Sequence, residues 1–501
     1  MSAAGKIEIG RDRLTLEQMK QVAAGTVTVS LSDDAVARMR KSNELVQQVI
    51  AVGDPVYGVN TGFGKFSEVR IDANDLSTLQ TNLIRSHSCG VGPALDDNLV
   101  RMILIAKASS LSRGYSGCRP ELAQMLIDFY NQDLLPVIPA HGSVGASGDL
   151  APLSHMTLVM IGEGEATYGG ETLSGVDALQ AAGLQPIELG PKEGLSLING
   201  TQVSTSLSVK AWLALNDLVV AADASAAWTL EGVAGLTSAF DARVHEIRGH
   251  SGAIASAERI RGHVENSQIL SSEAASRRVQ DPYAIRCAPQ VHGTVRDVLA
   301  NVRGMLETEL NGVTDNPLVF PEQGDVISGG NFHAEPVAMV SDQLAIAGTD
   351  LASISERRTF LLTDPQISGL PAFLVEHGGL NSGFMIHHVT QAALVSACKT
   401  LAHPASVDSI PTSAGKEDHV SMATWAGYKA NEIMDRAATV ISIEMMAAAQ
   451  AISLREPLQP GYGIQALQKE LRTVVPKLDS DRYSKPDIDA AGQWLRERNW
   501  D

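Results

Sequence analysis

The chain has 501 residues, 44% of them hydrophobic and 19% charged, with a formal net charge of -18, the balance of a globular protein long enough for two or three domains. Such acidity argues against nucleic acid or an anionic membrane surface as a partner. The start Met1-Ser-Ala-Ala-Gly lacks the apolar core of a secretory leader, no run of about eighteen apolar residues offers a membrane span, and Cys89, Cys118, Cys287 and Cys398 lack paired spacing, so a cytoplasmic protein with free thiols is expected.

In chain order, residues 1–200 are mixed. Lys6-Ile-Glu-Ile-Gly and Thr26-Val-Thr-Val alternate like short strands, and short helical stretches alternate with glycine-rich loops at 53–64, 88–93, 141–148 and 168–175. From residue 201 the character changes. Residues 201–238 hold no proline and only Gly232 and Gly235, which predicts one long helix. Further long helices are predicted over 290–311, 333–360, 382–402 and 418–455, each followed by a polar loop with proline, such as Thr314-Asp-Asn-Pro317 or Glu456-Pro457. Several are apolar on most faces, the pattern of helices buried in a large core or a subunit interface. Residues 201–460 therefore read as a central long-helix bundle in an oligomer, and 461–501 as amphipathic cap helices.

The densest chemistry lies in His141-Gly-Ser-Val-Gly-Ala-Ser-Gly-Asp-Leu-Ala-Pro-Leu-Ser-His155. Attack of the Gly148 nitrogen on the Ala146 carbonyl closes a five-membered ring with loss of the first of two waters. Loss of the Ser147 hydroxyl leaves an exocyclic methylene, giving 4-methylidene-imidazol-5-one (MIO), an electrophile that unmodified side chains do not supply. Gly148 leaves its nitrogen unobstructed, Ser147 has the hydroxyl to lose, and Ala146 adds little bulk. A hydrolase elbow is excluded, because Asp149 stands where that motif needs glycine.

A second cluster is Tyr57-Gly-Val-Asn-Thr-Gly-Phe-Gly-Lys-Phe66. It is not a P-loop, since Val59 and Phe66 occupy the required glycine and hydroxyl positions; its glycines suit a loop that closes over substrate. Asn199, in Leu197-Ile-Asn-Gly-Thr-Gln202, reads by itself as a helix-capping region. Arg286, in Gln280-Asp-Pro-Tyr-Ala-Ile-Arg-Cys287, reads by itself as a buried ion-pair partner. Other notable segments are Leu83-Ile-Arg-Ser-His87, Gly329-Gly-Asn-Phe-His333, Phe384-Met-Ile-His-His388 and Pro411-Thr-Ser-Ala-Gly-Lys-Glu-Asp-His-Val-Ser-Met422. Ser413-Ala-Gly-Lys416 fits a serine–lysine acyl-transfer motif but lacks its companion pieces. No His-Glu-x-x-His spacing supports a metal hydrolase.

Taken together, in this order and over roughly residues 7 to 490, these segments resemble the aromatic amino acid ammonia-lyase family, most closely its histidine branch. The resemblance implies a mainly α fold, a long-helix bundle of the ammonia-lyase/fumarase-like type with a mixed N-terminal region carrying the cofactor loop. It implies a homotetramer with active sites drawn from three subunits, and MIO as the cofactor, with no metal or organic cofactor. By the same resemblance Tyr57 is the base, Asn199 orients the ring and substrate, Arg286 binds the substrate carboxylate, Gln280 and Tyr283 line the site, and Phe332 packs on substrate or ring. His87 and Glu417 sit where the histidine branch grips imidazole, and a carboxylate facing a ring N–H makes chemical sense.

The implied reaction is non-oxidative deamination of L-histidine to trans-urocanate and ammonia. Two departures bear on the ring. Gly415-Lys416 replaces the branch's usual Asn-Gln, and His387-His388, after Met385, replaces Ala-Gln. A lysine beside Glu417 would favour its anionic form and offers a contact for an anionic or sulfur-bearing substituent. The alternatives are therefore a lyase or aminomutase acting on a modified histidine (an N-methyl or 2-thio histidine betaine) or on another aromatic amino acid.

Overall fold

The computed structural model describes residues 5–53, 55–62, 64, 69–276 and 279–500. They fall into two units, each assembled from three stretches of chain. The first is Met1–Lys210, Arg303–Asp342 and Pro404–Tyr428; the second is Ala211–Val302, Gln343–His403 and Lys429–Asp501. The fold is mainly α, as the sequence implies. The predicted long helices run Gln202–Gly232, Ala288–Leu310, Glu335–Thr363, Met385–Leu401 and Ala423–Ser453, followed by Tyr462–Leu471 and Lys485–Glu497.

Among the described residues, the named strands lie in the first unit and are short. The two predicted strands, Gly5–Ile9 and Val27–Leu31, pair in parallel with Ile7 opposite Val29; Ile7, Ile9, Val27 and Val29 are buried. Two of the predicted glycine loops are partly strand. Glu165–Tyr168 and Glu171–Ser174 form a hairpin that turns at Gly169 (φ 61°) and Gly170 (φ 86°), because two successive positive φ angles match the twist of paired strands. Val91–Ala94 pairs with Pro139–His141 and so anchors the chain entering the 141–148 loop.

Helices of the first unit deliver the site. Asp97–Ser112, capped by the Asp96 side chain accepting from Leu99 N at 3.2 Å, is buried on nearly every face. Leu76–His87 ends on His87, and the short helix Glu193–Ile198 ends just before Asn199.

The second unit holds a buried ionic network among its apolar helices. The Glu444 carboxylate accepts from Arg358 Nε (2.5 Å) and Nη2 (2.8 Å), Thr229 Oγ1 (2.7 Å) and Ser355 Oγ (2.6 Å). His292 Nδ1 meets Asp223 at 2.8 Å and its Nε2 meets Arg358 Nη1 at 3.1 Å. Arg358 can only donate, so the imidazole is neutral with its proton on Nδ1; burial lowers its basicity in the same sense. Every member but Arg296, which also pairs with Asp223, is fully buried. Glu444→Ala is expected to destabilise the protein by about 3–5 kcal/mol, since it leaves the Arg358 charge buried without its carboxylate. Denaturant unfolding checks this; a midpoint unchanged at equal m would show that water reaches Arg358.

Candidate active site

Close packing fixes the shape of the Ala146-Ser147-Gly148 turn. Gly148 has φ +71°, and a Cβ there would come within 2.2 Å of the Gly200 carbonyl oxygen. No side chain fits that position. Beside it Asp149 N donates to Gly200 O at 2.7 Å. The buried Asp149 carboxylate accepts from Ser204 N (2.8 Å), Ser204 Oγ (3.0 Å) and Thr424 Oγ1 (2.7 Å); burial pushes its pKa above the usual carboxyl value, against the pull of these donors. On the other side Met422 N donates to Val144 O (2.8 Å) and Ser421 Oγ to Gly145 O (3.0 Å). Ala146 is packed among Ala405, Val420, Met422 and Ala426. A tripeptide held this tightly at both ends has little conformational freedom left to lose in an intramolecular attack.

Two cavities, of about 540 and 860 Å³, share Tyr57, Ser147, Asn199, Ser413 and Glu417 in their walls. The larger continues along His87, Ser86, Leu83, Leu150, Leu195 and Ile198. The smaller continues along Phe332, His333, Lys416 and His419. Six of the candidate residues from distant segments (Tyr57, His87, Ser147, Asn199, Phe332 and Glu417) thus line this pair of cavities, as do Ala146 and Lys416. Phe63, Lys65 and Phe66 of the tyrosine loop lie outside the described residues.

Hydrogen bonds set the polarity of the junction. Glu417 Oε1 accepts from Ser147 Oγ at 3.2 Å, while Oε2 accepts from Thr412 Oγ1 (2.6 Å) and Ser413 Oγ (2.8 Å). Hydroxyls, rather than Lys416, hold this carboxylate. Its loop is strained, with positive φ at Ser413 and Ala414, as is common where a side chain must be aimed. Asn199 Nδ2 donates to Ser147 O at 3.2 Å, and among the described residues its buried Oδ1 has no hydrogen-bond partner. The side chain therefore serves the turn and does not cap a helix. His87 Nδ1 lies 2.9 Å from Leu83 O, a contact that puts the ring proton on Nδ1 and leaves Nε2 as an acceptor. Burial lowers His87 below the usual imidazole value, with Leu83 O and the Glu417 charge only partly opposing. Burial raises the Tyr57 phenol above its ordinary value and the Glu417 charge adds to this, against a hydrogen bond with the Gly64 backbone.

Gln280, Tyr283, Arg286 and Met385 belong to the second unit. Arg286 lies 4.5 Å over the Tyr283 ring, and the Gln280 amide oxygen, turned toward it, accepts from both terminal nitrogens at 3.1 and 3.2 Å. Arg286 makes no ion pair among the described residues, and its Nε is buried without a partner. This group is therefore not the buried ion pair that the sequence left open. Tyr283 is 69% exposed and Met385 37%. His388 is tied to Glu356 at 2.6 Å and His387 packs at a tilt against Phe384, so both histidines have partners of their own.

Thr412 carried no signal in the sequence and Ser413 stood out only as part of a serine–lysine pattern, although both stand in the segment that carries Glu417. The motifs also gave no role to His333, whose ring stacks on His419 at 5.9 Å.

Residues 14–473 match the aromatic amino acid lyase family. A histidine ammonia-lyase of Photobacterium profundum is 48% identical over 496 residues, 99% of this chain and 97% of that protein. The crystal structure of histidine ammonia-lyase from Trypanosoma cruzi superposes with a TM-score of 0.90 at 40% identity, covering 98% of this chain and 93% of that one. An ergothioneine-degrading enzyme from Treponema denticola, solved with desmethyl-ergothioneine sulfonic acid, superposes with a TM-score of 0.93 at 32% identity, covering 98% of each.

Proposed function

This chain belongs to the aromatic amino acid lyase family, and on that premise we propose that it is an ammonia-lyase converting L-histidine to trans-urocanate and ammonia. The supporting observation is the junction itself: Ser147 is held between Asn199 and Glu417, in walls shared with Tyr57 and in one cavity with His87.

The residues around Ala146-Ser147-Gly148 fit MIO. Gly148 occupies a space that no Cβ enters, and Asn199 holds the Ser147 carbonyl while keeping an unused buried acceptor. Once formed, the ring supplies the electrophile that captures the substrate. An intact mass two waters below the sequence value tests its formation.

The ring is recognised as the imidazolium, whose two N–H groups face two acceptors. Neutral His87 offers Nε2, and loss of the Ser147 hydroxyl would open Glu417 Oε1 to a ring N–H, with Thr412 and Ser413 still fixing Oε2. Tyr57 removes a β-proton while the amine leaves Cα, and Arg286, brought from a neighbouring subunit of a homotetramer, takes the carboxylate through its fork. Gln280 already orients that guanidinium.

Purified protein with L-histidine is expected to release urocanate, followed by its ultraviolet absorbance, and ammonia in equal amounts. Glu417→Gln should lower kcat/KM for histidine about 10–100-fold, the worth of one charge-assisted hydrogen bond of about 1.5–3 kcal/mol. Retained efficiency would remove Glu417 from ring recognition.

A second reading rests on Lys416, a cation in the cavity wall without an ion-pair partner among the described residues. It would suit a histidine whose ring bears an anionic or sulfur substituent. Against it, a quaternary ammonium leaves without an electrophile's help, and the Ala-Ser-Gly turn is intact. Mature protein that is silent on histidine but active on 2-thio or N-methyl histidines would favour this reading.

A further inference from the structure

The helix Asp97–Ser112 carries one charged side chain into the core behind the site. Lys107 is 1% exposed. Its Nζ donates to Asn199 O at 2.7 Å and, more weakly, to Gln202 Oε1 at 3.4 Å. Among the described residues no carboxylate pairs with it. The nearby Asp315 carboxylate is taken by Lys192 at 2.8 Å, itself fully buried, and Asp149 is committed to Ser204 and Thr424. The neighbouring Cys118 thiol is pushed up to about 12 by burial, so it brings no negative charge near neutral pH.

A buried ammonium held only by neutral oxygens is costly, and a methionine would fill similar space without that cost. What the cation gains is one peptide. Asn199 O is fixed by Lys107, Gly200 O by Asp149 N at 2.7 Å, and the Asn199 side chain is aimed at Ser147 O. Neutralising Lys107 would weaken the first of these restraints, because a charge-assisted hydrogen bond is roughly twice as strong as a neutral one.

We propose that Lys107 is a positioning residue for the elimination: its ammonium clamps the Asn199–Gly200 peptide from behind and so keeps the Asn199 amide aligned on the Ser147 turn. The inference rests on the lyase reading above. Burial, the largest influence, lowers the Lys107 amine to about 8; Asp315, Cys118 and Asp149 oppose that fall and Lys192 adds to it. The clamp therefore weakens as pH rises through that region.

The test compares wild type with Lys107→Met. Wild type is first assayed on histidine, ring-modified histidines and aromatic amino acids, and the comparison uses the substrate it turns over. A wrong substrate then shows in wild type, whereas a wrong role for Lys107 shows in the ratio of the two enzymes. Expected is a protein still two waters short in mass, with kcat at pH 7 lowered tenfold or more and KM within threefold. The kcat ratio should shrink toward one above pH 9, because wild type loses the same charge; titrations common to both enzymes, such as that of Tyr57, cancel. A kcat within twofold, or a ratio independent of pH, overturns the proposal. Should Lys107→Met fail to fold, Lys107→Arg replaces it, since its cation does not titrate in this range. A wild-type-to-Arg kcat ratio that falls through pH 8 supports the clamp, and a constant ratio overturns it.

Discussion

Ser147→Ala is expected to lower turnover by at least ~10³-fold, the scale met when a covalently acting group is removed, while leaving the protein folded. The alanine keeps Cβ and loses only the hydroxyl, so no methylene can form. The cost to the fold is small by inspection. Among the described residues the unmodified Ser147 Oγ makes one hydrogen bond, to Glu417 Oε1, which ring formation removes in wild type as well, and that carboxylate keeps its bonds from Thr412 and Ser413 in either case. Thermal unfolding should therefore stay within a few degrees of wild type, about 1 kcal/mol or less. Mass spectrometry separates the steps. Wild type should be two waters short, whereas the variant can lose at most the single water of ring closure.

Gly148→Ala is the contrasting case. Its Cβ would meet Gly200 O at 2.2 Å with φ +71°, so it should lose both maturation and stability. Ser147→Ala that keeps wild-type turnover would end the case for an electrophile at this turn.

Much of this was legible from residue types and their punctuation. The helix Gln202–Gly232 follows from a proline-free run, and Glu335–Thr363 closes just before the Asp364-Pro365 step that cannot continue it. Boundaries failed where tertiary contacts override pattern. A helix was expected from residue 418, yet it begins at Ala423, because Ser421 and Met422 bond instead to Gly145 and Val144, just before Ala146-Ser147-Gly148. Site residues with a dense local motif, such as Tyr57, Ser147 and Glu417, could be named in advance and do line the two cavities. Lys107 could not. Its partner Asn199 is 92 positions away, and nothing within Ala106-Lys-Ala108 distinguishes a buried lysine from an exposed one.

Tyr57→Phe is expected to lower kcat about 10²–10⁴-fold, the usual worth of a positioned general base, with little change in KM for histidine. The larger consequence is in the pH dependence. An unperturbed phenol, with pKa near 10, is ionised in about one molecule in a thousand at pH 7, roughly 4 kcal/mol uphill. In this site the deficit is greater, because burial and the Glu417 charge both raise the Tyr57 value. The sign follows directly: the base acts as phenolate, so the ratio of wild-type to Tyr57→Phe kcat should climb as pH rises toward 10, the loss of the Lys107 charge being common to both enzymes. The two acidic groups are coupled, which gives a stricter check. Glu417→Gln removes the negative charge that opposes the phenolate, so its remaining activity should begin its climb at lower pH than in wild type. A wild-type-to-Tyr57→Phe ratio flat between pH 7 and 10, or an unmoved climb in Glu417→Gln, would mean that the proton leaves to some other group and that Tyr57 only shapes the cavity.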